Sequence, residues 1–180
     1  MRTVVRNAQR TILVNMVQAA RLARRVIHGL RIRTSGILEI TFINLRQIRL
    51  LNRRFLRHDR PTDELSFRYN NPARGSKLEA RGRCPQPRPL NPEPIVGEIF
   101  IAPALARTYA RRHGLSYEEE LSRYVVHGIL HWLGHEDKTI AQQRRMRDRE
   151  DRLLTLCGVR QLPRTPKPQP RTSRNGHSHH

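Results

Sequence analysis

The stretch His127-Gly-Ile-Leu-His131-Trp-Leu-Gly134-His-Glu-Asp137 constrains this chain more than any other. Two histidines four residues apart on a helix stand on one face, on neighbouring turns, with Cβ atoms roughly 5–6 Å apart. Both rings can then reach one metal ion. Gly134 supplies a residue able to end the helix in the left-handed conformation, and a chain that folds back after it brings Asp137 or His135 to the same ion. Two neutral ring nitrogens, one carboxylate and a fourth position left to water make a catalytic rather than a structural zinc pattern. The pattern implies a metal-dependent hydrolase. The zinc proteases carry a glutamate directly after the first histidine as general base, and here Gly128 stands there, which argues against peptide hydrolysis.

A histidine pair alone is weak evidence, because buried histidines also satisfy backbone carbonyls. The glycine turn, the potential ligands beyond it and the apolar lining of Ile129, Leu130, Trp132 and Leu133 strengthen it. Charge adds a partner class. The formal net charge is +20, and lysine occurs only at 77, 138 and 167. An arginine excess of this size points to a polyanion, since the guanidinium fork binds two phosphate oxygens at once. Cys84 and Cys157 lie far apart, form no metal-binding spacing and predict neither a disulfide nor a metal site. No run approaches the roughly 20 apolar residues of a membrane span, and arginines interrupt the N-terminal apolar residues where a signal peptide would need them unbroken. A cytoplasmic protein with no membrane association is expected.

At 180 residues the chain suits one domain. Helical spacing predicts a helix over 12–29 with Leu13, Val14, Met16, Val17, Ala20, Ala23, Val26 and Ile27 on one stripe. Residues 37–44 alternate as a strand with one polar face. A second helix over 44–56 places Leu45, Ile48, Leu51 and Phe55 inward, and a turn at 59–63 leads to a short strand over 64–67. Few apolar residues occur in 70–94, which reads as a long loop. Strand 96–101, helix 102–113 and a helix from the capping box Ser116-Tyr-Glu-Glu119 to Leu133 follow. A last helix over 139–156 packs Ile140, Met146, Leu153 and Leu154, with Cys157 as a small core residue. From Pro163 on, the composition is that of a disordered basic tail. The expected organisation is one domain over 1–162 and a tail over 163–180 that is dispensable for folding.

HGILHWLGHED resembles the HGxLHLxGxDH signature of the YbeY family of bacterial metal-dependent endoribonucleases. Asn52 with Asp59-Arg-Pro-Thr-Asp63-Glu-Leu-Ser-Phe67 resembles the family's N…D-x-P-T-D-V-L-S-F block, and Gly97-Glu-Ile-Phe-Ile101 resembles its G-D-I-x-I strand. The resemblance spans about residues 12–157. It implies an α+β single domain, a four-stranded mixed sheet packed with about five helices, and a metal site at the cleft between them. It implies one divalent ion, zinc, on His127, His131 and Asp137, with His135 the rival third ligand. Asp137 stands where the family usually has a histidine. The implied activity is single-strand-specific, metal-dependent endoribonuclease action in ribosomal RNA maturation and ribosome quality control, with the small ribosomal subunit as partner. The different class of function that the charge also fits is a non-catalytic, zinc-stabilised ribosome- or RNA-binding factor. Leu56 replaces an arginine of the family, and Arg53, Arg54 and Arg57 are the candidate RNA-binding residues in its place. The sequence names no general acid or base.

Overall fold

The computed structural model describes residues 1–69 and 93–159. In chain order these form β1 (Arg2–Asn7), α1 (Met16–Gly29), β2 (Ile37–Phe42), α2 (Leu45–Leu56), β3 (Glu64–Arg68), β4 (Ile95–Ile101), α3 (Pro103–His113), α4 (Tyr117–Trp132) and α5 (Ile140–Leu156). The tail expected over 163–180 and nearly all of the loop expected over 70–94 lie outside the described residues, as does Cys84.

The strands make one sheet in the order β1-β2-β4-β3. β1, β2 and β4 run parallel, and β3 is antiparallel to β4, so the sheet is mixed and the fold α+β. Strand periodicity fixes its two faces. Leu38, Ile40, Phe42, Ile99 and Ile101 are fully buried on the face that meets Val26, Val126, Ile129 and Leu154 in the main core. Each such side chain contributes roughly 1.5–3 kcal/mol by leaving water. The opposite face is lighter: Ile43, Ile48, Leu65 and Ala102 form a second cluster with Leu51, Phe67 and Phe100. That cluster seats α2 against the sheet. It also sets the phase of β3, because Leu65 and Phe67 facing α2 turn Glu64 and Ser66 toward the other side.

The apolar spacing and the fold differ in four places. β1 was not among the strands that periodicity picks out. Its six residues, Arg-Thr-Val-Val-Arg-Asn, are half-buried to exposed, as suits an edge strand held by its register with β2. α1 starts at Met16 rather than residue 12, because the Asn15 side chain accepts from Gln18 N and caps the helix there. Leu13 and Val17 are consequently exposed, at 90% and 68%. Ile140 opens α5 in solvent rather than in the core, and Leu45 and Phe55 sit at the rim. Asn44 and Thr139 both make reciprocal capping boxes; Ser116 caps α4 by accepting from Glu119 N. Cys157 is buried and unpaired, as its place at a helix end suggested.

Candidate metal centre

Ser116 and three glutamates in the first turn, Glu118, Glu119 and Glu120, start α4 with charges that suit the helix dipole. The helix ends as Gly134 predicts. Gly134 adopts φ 92°, its N–H donates to His131 O at 2.8 Å, and His135 N–H donates to Leu130 O at 3.0 Å. This paired closure is a Schellman motif, and it turns the chain back over the last helical turn.

Gly128 has a packing reason. A Cβ there would lie 2.6 Å from Ile99 Cγ2 and 3.2 Å from Glu64 Oε2. Gly97 is under the same pressure from the other side, since its Cβ would meet the Trp132 ring, Nε1 lying 1.9 Å from it. The two glycines let α4 lie close on β4, with Trp132 Nε1 donating to Val96 O at 3.3 Å. Alanine is the better helix former, yet Gly128→Ala is expected to destabilise the protein by about 1–3 kcal/mol through overpacking. Denaturant unfolding of the two proteins measures it, and an equal or higher stability would contradict the close approach.

The histidine pair assembles as the spacing predicts. His127 Nε2 and His131 Nε2 face each other at 3.1 Å, their rings edge-to-face. Asp137 Oδ1 comes to 3.7 Å from His131 Nε2, on a side chain 41% exposed. The rival, His135, is engaged elsewhere: its Nδ1 lies 2.6 Å from Arg149 Nη1. A small cavity beside His131, lined also by Ser66, Gly134, His135 and Asp137, opens the site to solvent.

One residue at the site was not foreseen. Glu64 arrives from β3, its Oε1 4.0 Å from His131 Nε2. Donor atoms of Glu64, His127 and His131 all lie within 4.8 Å of one another. The signal was available in the alternation of β3: if Leu65 and Phe67 face one way, Glu64 must face the helix carrying the histidines.

Behind the pair, Glu150 of α5 is almost fully buried. Its Oε1 accepts from His127 Nδ1 at 2.7 Å, and its Oε2 accepts from Arg123 Nη1 at 2.8 Å. The contact to Nδ1 selects the tautomer that presents Nε2 and its lone pair to the site, the usual support of a metal-ligating histidine. Without a metal the electrostatics are strained. Burial opposes the charged form of His127, but the Glu150 hydrogen bond and the charges of Glu150 and Glu64 outweigh it and push its pKa up to about 9. Burial drives Glu64 up to about 8, with the His127 charge offsetting only part of this. His131 is lowered, first by burial and then by the charge of His127. Facing ring nitrogens, an orphaned buried carboxylate oxygen and a half-exposed second carboxylate are the donor chemistry of a divalent cation.

The RNA candidates Arg53, Arg54 and Arg57 are all exposed. Arg57 takes the left-handed position that caps α2, at φ 59°, and the Arg54 guanidinium lies 5.5 Å from the Phe55 ring centre. Asn52 donates from Nδ2 to Arg60 O at 2.7 Å and so pins the loop that leads into β3, while its Oδ1 is buried without a partner.

Sheet, helices and histidine pair together define a single-domain α+β protein organised round a candidate divalent-metal centre. Comparison with known proteins narrows the class. The family model for "Endoribonuclease YbeY" matches residues 4–158, and the chain belongs to that family. An endoribonuclease YbeY of Brevibacillus brevis is 33% identical over 124 residues, 69% of this chain and 76% of the relative. That of Chlorobaculum tepidum is 33% identical over 119 residues, 66% of this chain and 72% of the relative. One from Myxococcus xanthus is 34% identical over 69% of this chain, which spans only 38% of that longer protein. The solution structure of a Thermotoga maritima protein shares the fold, with a TM-score of 0.53 at 19% identity, covering 86% of this chain and 88% of the other.

Proposed function

We propose that this chain is a single-strand-specific, metal-dependent endoribonuclease that acts in ribosomal RNA maturation and ribosome quality control, on the small ribosomal subunit in the cytoplasm. The observation that carries the reading is the pair of ring nitrogens facing each other at 3.1 Å beside an open cavity, in a chain of the endoribonuclease YbeY family. His127 and His131, with Asp137 as third donor, would hold the ion, which we take to be zinc. When bound, it supplies Lewis-acid polarisation of a phosphodiester oxygen and brings the pKa of a water toward neutral. The chain's own residues do the rest. Glu150 fixes the His127 ring, Gly128 and Gly97 set the depth of α4 on the sheet, and the exposed cavity admits a splayed strand that a duplex could not present. Among the described residues no helix is long and apolar enough to cross a membrane.

Three groups of exposed arginines supply a basic surface: Arg21 and Arg24 on α1, Arg53, Arg54 and Arg57 at the end of α2, and Arg144, Arg145 and Arg147 on α5. Arg25 is tied back, donating to Cys157 O at 3.0 Å. Engaging about four to six phosphates of a single strand gives a slope of log affinity against log salt of about −3 to −4. Charge reversal at Arg54 and Arg57 is expected to flatten that slope and slow cleavage while the metal stays bound. Binding that ignores salt would remove the arginine surface from the reading. The activity itself is tested on unstructured RNA and on casein, with chelator-stripped and zinc-restored protein. Cleavage of the RNA alone, lost with the metal and restored with it, is the expected result; cleavage of casein alone would overturn it.

A further inference from the structure

Glu64 is the one site residue for which the signature around the histidines offers no role, and its surroundings are unusual. Its side chain is 8% exposed, at the first residue of β3, paired with Ile101 at the end of β4. Oε2 is buried and has no hydrogen-bond partner. Beside it stand the imidazoles of His127 and His131, and the charges of Asp63 and Asp137 also act on it; no lysine or arginine pairs with it among the described residues. A buried carboxyl group normally finds hydrogen-bond donors or a cation to replace its lost hydration, and Oε2 has neither. The space is also made for it: a side chain at position 128 would start 3.2 Å from Oε2.

From this geometry we infer that Glu64 is a direct ligand of the ion, so that the centre of this chain joins two histidines to two carboxylates rather than one. The distances suit it. Donor atoms each about 2.0–2.2 Å from one ion stand about 3–4 Å from each other. The observed separations, all from His131, are 3.1 Å to the His127 ring nitrogen, 4.0 Å to Glu64 and 3.7 Å to Asp137. The donors that lie mutually within 4.8 Å are those of Glu64, His127 and His131, with Asp137 outside that group. The two carboxylates differ in kind. Glu64 is held on a strand and closed off from water, and would give the ion a fixed, buried donor. Asp137 sits on the turn after α4, half exposed beside the cavity, and would give the ion a donor on the solvent side. A second carboxylate also lowers the net charge of the centre and adds a hard oxygen donor, which favours manganese relative to zinc more than a nitrogen-rich set would.

The inference rests on the reading of this site as a divalent-metal centre, and the test separates the two. Full-length protein is stripped of metal, and zinc and manganese affinities are measured by competition with a chromophoric chelator for the parent, Glu64→Val and Glu64→Gln. Visible absorption of the cobalt-loaded proteins reports the ligand set directly, and thermal melting of the metal-free proteins reports the fold. Both variants are expected to bind zinc at least tenfold more weakly, to lose more affinity for manganese than for zinc, and to change the cobalt spectrum. Glu64→Val should melt no lower than the parent when metal-free, since valine fills a dry site without an orphaned oxygen; a purely structural glutamate would instead lower the melting point and leave the spectrum alone. Parent and variants that bind metal equally, with the same cobalt spectrum, overturn Glu64 as a ligand and leave the ribonuclease reading standing. Failure of the parent itself to bind any of the three ions overturns both. A changed spectrum in a protein that does not cleave RNA supports the ligand and removes the function.

Discussion

His131→Ala is expected to leave a folded protein without its metal and without RNA cleavage. His131 sits at the meeting point of the site, with its Nε2 3.1 Å from His127, 3.7 Å from Asp137 and 4.0 Å from Glu64. Removing its ring takes away a donor and the geometry by which the others converge. Loss of a supporting hydrogen bond behind a ligand typically costs 10–100-fold in affinity, so loss of the ligand itself should cost at least about a hundredfold. The ring is partly exposed and the pair His127–Glu150 survives its loss, so metal-free stability should change by no more than about 1 kcal/mol. Elemental analysis of purified protein, with melting curves beside it, checks both halves. Stoichiometric metal in the mutant would remove the centre from this place.

The same site sets a pH dependence whose sign follows from His127. Its pKa in the metal-free fold is about 9 against 6.5 for an ordinary histidine. The charged ring therefore stabilises the metal-free fold fully below about pH 6.5, and that contribution is lost as pH rises through about 9. The ion requires the neutral ring, so its affinity moves the opposite way, climbing with pH toward about 9 and levelling above it.

Much of this site was legible because its chemistry lies on one helix. The spacing from His127 to His131, the glycine that ends the helix and the acid beyond it are all local, and local geometry follows from the period of a helix. Glu64 was hidden for the opposite reason. It is 63 residues from His127 by their numbering, and only the antiparallel pairing of β3 with β4 brings it under α4. Gly128 was noticed as a missing catalytic glutamate, while its cause, Ile99 pressing on the helix from below, belongs to packing between elements. The edge strand β1 escaped because its valines are only half-buried between charged residues and its pairing partner lies a helix away. α1 misread by one turn because the apolar residues before Asn15 continue the helical spacing, although the asparagine cap ends it: Ile12 and Val14 are buried from a loop, whereas Leu13 faces water.

Glu150 gives the second large effect, and it separates positioning from packing. It lies between Arg123 and His127, accepting from both. Glu150→Ala takes the buried carboxylate away from the Arg123 guanidinium, which keeps the partly exposed Asp151 at 2.6 Å among its partners. Breaking a buried pair in this way costs about 3–5 kcal/mol, and the remaining partners put the expected loss at about 3 kcal/mol. The metal should bind about 10–100-fold more weakly, because the His127 ring is free to turn and to adopt the other tautomer. A purely structural role predicts only the first of these losses. Glu150→Gln tells the two apart. Its amide oxygen can still accept from His127 Nδ1, but its amide N–H₂ then meets the Arg123 donors, and the negative charge is gone. His127 would no longer hold its proton up to about 9, since burial then pulls its pKa downward without the carboxylate that opposed it. The pH at which metal affinity levels off should therefore fall by at least one unit, even if affinity at high pH is weaker than in the parent. Zinc titrations of the parent and Glu150→Gln from about pH 6 to about pH 10, spanning the His127 transition near 9, measure the displacement, and superimposable profiles would mean that Glu150 braces the helices without tuning the histidine.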